Sequence, residues 1–291
     1  VSATLLEKAA AKINLTLRVI GRRADGYHDL ESLVAFADVA DVLALQPGQD
    51  DRLEVTGPFA GMSGAVVDNL VLKALSALRQ RISGLKGGRF LLEKNVPVAA
   101  GLGGGSADAA AALRLIARAN ALALDDPRVL EASRAVGADV PVCLDPRPRI
   151  MRGVGELLSP PIELPALPAV LVNPSVALAT RDVFGKFTGG QGGGDLGAVP
   201  REFDALIEYL THHGNDLTAA ASACAPVIGE VLAALKKLPD ARLVRMSGSG
   251  SSCFALFAAP REATAGAQRL AAEQKSWWVQ STSLGAAPDA P

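Results

Sequence analysis

Hydrophobic and polar residues alternate near the start of the chain, with Ile13, Leu15, Leu17 and Val19 on one side and Asn14, Thr16 and Arg18 on the other. A period of two is the signature of a strand with one face buried, and it places Lys12, Asn14 and Thr16 together on the polar face. On the residues alone, a lysine opening such a face is solvated. The turn Arg23-Ala24-Asp25-Gly26 predicts a hairpin that delivers Tyr27 and His28 to the next strand. An adjacent Tyr-His pair there is either a stacking platform for a flat ring or a surface-packed pair. Strand-like runs follow at 30–36, 42–45 and 53–55 with turn residues between them, which predicts an antiparallel or mixed sheet. Asp68 is placed to cap a helix in which Leu72, Leu75, Leu78 and Ile82 recur every three or four residues, with Asn69 in its first turn.

A strand around 90–92 and Lys94 lead into Pro97-Val98-Ala99-Ala100-Gly101-Leu102-Gly103-Gly104-Gly105-Ser106-Ala107-Asp108. Four glycines in the five positions 101–105 remove the side chains that would keep a backbone away from a ligand. The alanine-rich run 109–119 predicts a helix whose N-terminal N–H groups point into the loop. That is the chemistry of a phosphate cradle; the alternative is a tight connection and nothing more. No Lys-Ser/Thr pair follows the glycines, so this is not a Walker loop, and the spacing is not that of a dinucleotide fold. Gly192-Gly193-Gly194-Asp195-Leu196-Gly197 does satisfy GxGxxG, but no strand leads into it, and it carries no weight.

Asp126 and Pro127 read as the start of a further helix that Gly137 stops, after which the chain turns extended through Ala138-Asp139-Val140-Pro141. Asp139 is either a turn or capping carboxylate or an acid placed for function. Prolines concentrate at 159–168, which sets a domain boundary and gives domains 1–160 and 161–291. The second half reads as a strand at 170–172, a mobile glycine-rich loop at 189–197 and a helix from Pro200 with Phe203, Leu206, Ile207 and Leu210 on one face. A helix at 226–238 follows, then two strand-like runs around the small-residue turn Ser247-Gly248-Ser249-Gly250-Ser251. That turn is either a plain hairpin or a second backbone loop close to the first. A helix at 261–274, a strand from Trp277 and a disordered tail at 285–291 complete the chain.

Composition narrows the classes. The 291 residues are 49% hydrophobic, enough for sizeable cores, and the formal net charge of −1 without long basic runs argues against nucleic acid or an anionic membrane as partner. The absence of a long apolar run or of a secretory layout at the start leads to an expected cytoplasmic location. Cys143, Cys224 and Cys253 are widely spaced among small or apolar residues, so buried thiols are expected, and three histidines do not make a metal centre. Nothing here sets an oligomeric state.

Taken in order, the motifs resemble those of the GHMP small-molecule kinases: Lys12-Ile13-Asn14-Leu15 near the start, the stretch from Pro97 to Ala107, and Met246-Ser247-Gly248-Ser249-Gly250 near the end. Ala24-Asp25-Gly26-Tyr27-His28, Gly137-Ala138-Asp139-Val140-Pro141 and Gly153-Val154-Gly155-Glu156 resemble the branch that acts on a cytidine diphosphate alcohol. The resemblance runs from about residue 8 to residue 258. It implies a two-domain α+β fold: an N-terminal mixed-sheet domain like domain 2 of ribosomal protein S5, and a C-terminal ferredoxin-like α/β sandwich, with the active site between them. It implies transfer of the ATP γ-phosphoryl group to the 2-hydroxyl of a methylerythritol moiety, with Lys12 and Asp139 as the catalytic pair and Asp139 as base. ATP would lie on Pro97, Val98, Ala99, Ala100, Gly101, Leu102, Gly103, Gly104, Gly105, Ser106 and Ala107, with Asn69 and Lys94 near its adenosine. Tyr27 would stack on cytosine and His28 contact its edge; Asn14, Thr180 and Phe184 match further substrate contacts, although Arg181-Asp182 departs from the apolar pattern expected there. Mg²⁺ would accompany the nucleotide, with Ser106 as its candidate ligand. The rival readings are another kinase of the group, acting on homoserine, mevalonate or a sugar, and a nucleotide-binding protein without catalysis. None of the rival kinase substrates has a base for Tyr27-His28 to stack on.

Overall fold

A computed structural model describes residues 3–189 and 195–285. The first half runs β1 (Leu5–Asn14), β2 (Arg18–Arg22), β3 (His28–Gly48), β4 (Arg52–Thr56), α1 (Leu70–Arg79), β5 (Gly87–Glu93), α2 (Gly104–Ala119), α3 (Pro127–Val136), α4 (Val140–Leu144), β6 (Arg149–Gly153) and β7 (Leu157–Leu158). The second half runs β8 (Leu167–Asn173), α5 (Thr180–Lys186), α6 (Phe203–His212), α7 (Thr218–Cys224), α8 (Val227–Lys236), β9 (Leu243–Met246), β10 (Cys253–Leu256), α9 (Pro260–Glu273) and β11 (Trp278–Gly285). One sheet crosses the chain in the order β4-β5-β3-β11-β8-β10-β9, with β1, β2 and β6 also paired to β3 and β7 paired to β6. Only β4 and β5 pair in parallel among the described strands.

β3 is the spine, and it corrects the sequence expectation of separate strands at 30–36 and 42–45. Asp38 and Asp41 look like turn residues, yet the strand continues through them for 21 residues. Its early part pairs with β2 and β6, and its later part with β1 and β5, so backbone hydrogen bonds along its length override local propensity. The alternating run from Ile13 to Val19 is conversely divided, between β1 and β2. Its polar face is not solvated: Lys12, Asn14 and Thr16 are all buried, because both faces of this part of the sheet are covered.

Three apolar cores follow. α1, α2, α3 and α4 pack on the first-half sheet; a middle core joins β1 and β3 to β8, β10 and α6; a third lies under α7, α8 and α9. α2 is the inner helix of the first core, and its alanines 109–112 are fully buried. A methyl-only surface lets α2 come close to β1 and α1 with little side-chain entropy lost. Asn69, not Asp68, caps α1, its side chain accepting from the Val71 N–H at 3.0 Å. Asp126 caps α3 as its position before Pro127 predicts. Residues 140–144 form one helical turn rather than extended chain.

The expected disordered tail includes Gly285, which instead pairs with Phe36 in β3 and closes the sheet; 286–291 lie outside the described residues. Residues 190–194 of the glycine-rich loop also lie outside them, whereas Asp195 pairs with Arg152 and the Leu196 N–H donates to Glu31, tying that end to the first half. Cys143 and Cys253 are buried free thiols, and Cys224 is free but only half-buried. No helix among the described residues is long and apolar enough to cross a membrane.

Candidate active site

The chain bends at the loop 97–103 because the backbone there adopts conformations few side chains tolerate. Gly101 has φ 73°, and a Cβ on it would lie 2.6 Å from the carbonyl oxygens of Ser247 and Gly250. Gly103, at φ 63°, sits at the N-cap of α2, where a Cβ would press on the Lys12 side chain at 3.1 Å. Both positions therefore require glycine. With no capping side chain, the N–H groups of Gly104, Gly105 and Ser106 have no partner among the described residues, and all three residues line a cavity of about 1100 Å³. Free N–H groups at the positive end of a 16-residue helix, facing open space, form an anion site.

The second glycine-containing turn braces the first, which decides between the two readings of residues 247–251. Ser247 Oγ donates to the Gly101 carbonyl at 2.9 Å and accepts from the Asn14 N–H at 3.1 Å. The Ser252 N–H donates to the Ala100 carbonyl at 3.0 Å. Thr180 at the start of α5 shares a hydrogen bond of 2.9 Å with Ser249. The two turns and the end of β1 form one body around the cavity.

Lys12 and Asp139 meet at its floor, Nζ to Oδ2 at 2.6 Å. A register shift in β1 between Ala10 and Lys12 leaves Ala11 without a partner in the ladder; Lys12 pairs with Phe36, and its N–H donates to the Leu102 carbonyl at 2.8 Å. Asp139 occupies the N-cap position of α4 but caps nothing with its side chain. The capping reading is thus replaced by an ion pair whose lysine is buried and whose carboxylate side chain keeps 36% of its surface open.

On the opposite wall, the β2–β3 hairpin carries Tyr27 and His28. His28 stacks on Phe184 of α5 with ring centroids 4.8 Å apart, and Phe187 meets it edge-on at 6.3 Å. Tyr27 is 66% exposed, leaving its ring free for a planar group. Asn14 lines the same space and donates to Ser32 Oγ at 2.7 Å.

Of the residues expected at the site, Lys12, Asn14, Tyr27, His28, Ala99, Ala100, Gly101, Gly103, Gly104, Gly105, Ser106, Asp139, Thr180 and Phe184 line this one cavity. Pro97, Val98, Leu102, Ala107, Asn69 and Lys94 are not in its wall. Leu102 and Ala107 belong to the cores, and the Asn69 side chain is taken by the helix cap. The Lys94 ammonium lies buried on the other side of the loop, bonded to Asp41 and, at 2.7 Å, to Asp108. Asp41 also accepts from the N–H groups of Asn95 and Val96. Burial pushes Asp108 up to about 8, against the opposing pull of Lys94. Burial by itself would lower Lys94, but Asp108 and Asp41 outweigh it and raise the lysine. Ser32, Arg22 and the pairing of Lys94 with Asp41 and Asp108 escaped the sequence reading, whereas Ser247 lies in the motif from Met246 to Gly250. Position beside the Tyr27-His28 turn was the available signal for Arg22; Ser32 and Asp41 sit in a strand that looks ordinary in sequence.

The family models for the GHMP kinases N terminal domain and the GHMP kinases C terminal match residues 69–145 and 196–275. A protein of Rhodopseudomonas palustris (strain BisB5) named 4-diphosphocytidyl-2-C-methyl-D-erythritol kinase is 54% identical over 291 residues, covering 96% of this chain and 99% of that one. A solved structure of 4-(cytidine 5'-diphospho)-2C-methyl-D-erythritol kinase superposes with TM-score 0.78 at 35% identity, over 97% of this chain and 99% of that one. Homoserine kinase from Cytophaga hutchinsonii shares the fold, with TM-score 0.70 at 19% identity over 100% and 98% of the two chains. With motifs, cavity and full-length similarity in agreement, the chain belongs to the 4-diphosphocytidyl-2-C-methyl-D-erythritol kinase family of the GHMP kinases.

Proposed function

We infer that this protein transfers the γ-phosphoryl group of ATP to the 2-hydroxyl of 4-diphosphocytidyl-2-C-methyl-D-erythritol, with Lys12 and Asp139 as the catalytic pair. The observation that carries this reading is the 2.6 Å Lys12–Asp139 contact on the floor of a cavity that also holds three free N–H groups of α2. In phosphoryl transfer the protein mainly positions the reactants and stabilises charge. The substrate oxygen bonds to the γ-phosphorus, the bond from that phosphorus to the β,γ-bridging oxygen breaks, and ADP leaves. Asp139 Oδ accepts the hydroxyl proton, late in the step because a tertiary alcohol is a weak acid. Lys12 is close enough to orient that carboxylate and to face the transferring group. The N–H groups of Gly104, Gly105 and Ser106 hold the nucleotide phosphates at the helix N-terminus.

Mg²⁺ takes few protein ligands beside nucleotide phosphates and water, and Ser106, whose position in the first turn of α2 lines the cavity, suits such a site. Bound there, the metal would neutralise phosphate charge. Tyr27 offers the open ring on which the cytosine stacks. His28 already has a ring face against Phe184, so its remaining edge is what it can offer the base.

The test is ADP release by purified protein given ATP, Mg²⁺ and each of three alcohols: the cytidine diphosphate alcohol, homoserine and mevalonate. Turnover with the first alone is expected, and turnover with either of the others but not the first overturns the assignment. Tyr27→Ala is expected to raise KM for the cytidine substrate about tenfold, the worth of one base-stacking contact, with KM for ATP unchanged.

A further inference from the structure

The phosphate cradle of α2 accounts for one of the two polyphosphate groups this reaction brings together. The substrate has its own diphosphate, and the wall of the cavity carries a separate means of holding it. Four charged side chains line that wall: Lys12, Asp139, Arg22 and Arg181. The first two neutralise one another in their ion pair. Two guanidiniums remain, with no carboxylate of the wall to balance them.

Both are placed by the stacked His28–Phe184 pair. Arg22 lies directly opposite His28 in the β2–β3 register, and residues so paired send their side chains to the same face, with Cβ atoms about 5 Å apart. Arg181 precedes Phe184 by three residues on α5, which puts it on the same face of the helix about one turn away. Since the two rings stack at 4.8 Å, the arginines stand on either side of one aromatic pair, one from each half of the chain. Neither is committed elsewhere. The adjacent Arg23 is held in the hairpin turn by Asp25 and Asp29, whereas Arg22 makes no ion pair among the described residues. Arg181 touches its neighbour Asp182 at 3.4 Å, with both side chains largely in solvent, a contact worth little and readily exchanged.

We propose that Arg22 and Arg181 form a clamp for the diphosphate of the cytidine substrate, distinct from the backbone cradle that holds the ATP phosphates. This rests on the kinase reading given above. Charge and geometry both suit it: a diphosphate esterified at both ends carries about two negative charges at neutral pH, and guanidinium forks bind phosphate oxygens in pairs. Position suits it as well, because the base stacks at Tyr27 and the reacting hydroxyl must reach Asp139, so the diphosphate lies between them. Arg181, which breaks the apolar pattern expected beside Thr180, acquires a role on this account.

The test is calorimetric titration of the full chain with CDP and with cytidine, with saturating ADP present so that the α2 cradle is filled. The wild type is expected to bind CDP more tightly than cytidine. Arg22→Gln and Arg181→Gln are each expected to weaken CDP roughly ten- to a hundredfold, as for the loss of a charged hydrogen bond, and to leave cytidine affinity and KM for ATP unchanged. Arg22→Lys is expected to recover part of the loss. Equal binding of CDP and cytidine by the wild type, or a CDP preference that persists in the double variant, overturns the clamp alone. Equal weakening of CDP and cytidine also overturns it, since the arginines would then be supporting the aromatic pair. A wild type that binds neither nucleotide overturns the kinase reading, and the clamp with it.

Discussion

Two lysine–aspartate constellations are built against consecutive glycines of one turn, and they differ in what can reach them. Gly103 packs on Lys12, which reaches Asp139 at the cavity floor; Gly104 lies over Lys94, which bridges Asp41 and Asp108 beneath the loop. The residue types are the same. What separates them is access: the Asp139 side chain keeps 36% of its surface open, while Asp41, Lys94 and Asp108 are each sealed to 4% or less. An open carboxylate can take a proton from a substrate. A sealed one cannot meet a substrate, and its charge sets only how firmly the loop is held and at what pH. A short lysine–carboxylate contact is therefore not in itself a catalytic signal.

The comparison is broken most sharply by exchanging one residue in each cluster. Asp139→Asn is expected to lower kcat about 10²- to 10⁴-fold, the usual worth of a general base, while nucleotide affinity measured by titration stays within about twofold. Unchanged turnover would make Asp139 a structural residue like Asp41. Lys94→Met is expected to act on stability: removing the cation leaves the buried Asp41 carboxylate uncompensated beside Asp108, at a cost of about 3–5 kcal/mol, readable as a Tm lowered by about 10 °C. A Tm within a degree or two of wild type, with KM for ATP sharply raised, would instead give Lys94 a direct part in nucleotide binding.

The smallest expected effect is on pH dependence. Asp108 titrates near its ordinary value of 3.8 when unfolded and at about 8 when folded, chiefly through burial. Between those values the folded state keeps a proton that the unfolded state has released, so this group's contribution is full at the acid end and is lost as pH rises toward 8. Asp108→Asn carries no such proton, and its urea midpoint is expected to fall less than that of the wild type between about pH 5 and about pH 8. Parallel pH profiles for the two proteins would show that Asp108 stays ionised in the fold.

Parts of this arrangement are legible in the residues. The glycine-rich stretch, the helix behind it and the hairpin that presents Tyr27 and His28 depend on local backbone chemistry, and the structure places them as local rules predict. Residues whose state depends on what lies across the sheet are not legible that way. Lys12 begins a polar-looking strand face, and only the covering of both faces of β1 shows that it is buried. Asp139 follows a helix stop and looks like a cap, until Lys12, 127 positions earlier in the chain, claims its side chain. Ser247 stands in a small-residue turn in sequence, and its tie to Gly101 exists because β9 and β10 bring that turn to the first loop.

The sequence by itself therefore determined what each short stretch could do: where the backbone could bend past a ligand, where a helix could begin with its N–H groups free, and which motifs stood in what order. Tertiary structure decided which charges meet, which are sealed and which stay open. Burial and long-range pairing set the behaviour of a carboxylate or an ammonium, and neither is a property of the residues beside it in the chain. That is why Lys12 and Lys94, both strand-end lysines near one loop, end beside an open carboxylate in the cavity wall and in a sealed cluster beneath the loop.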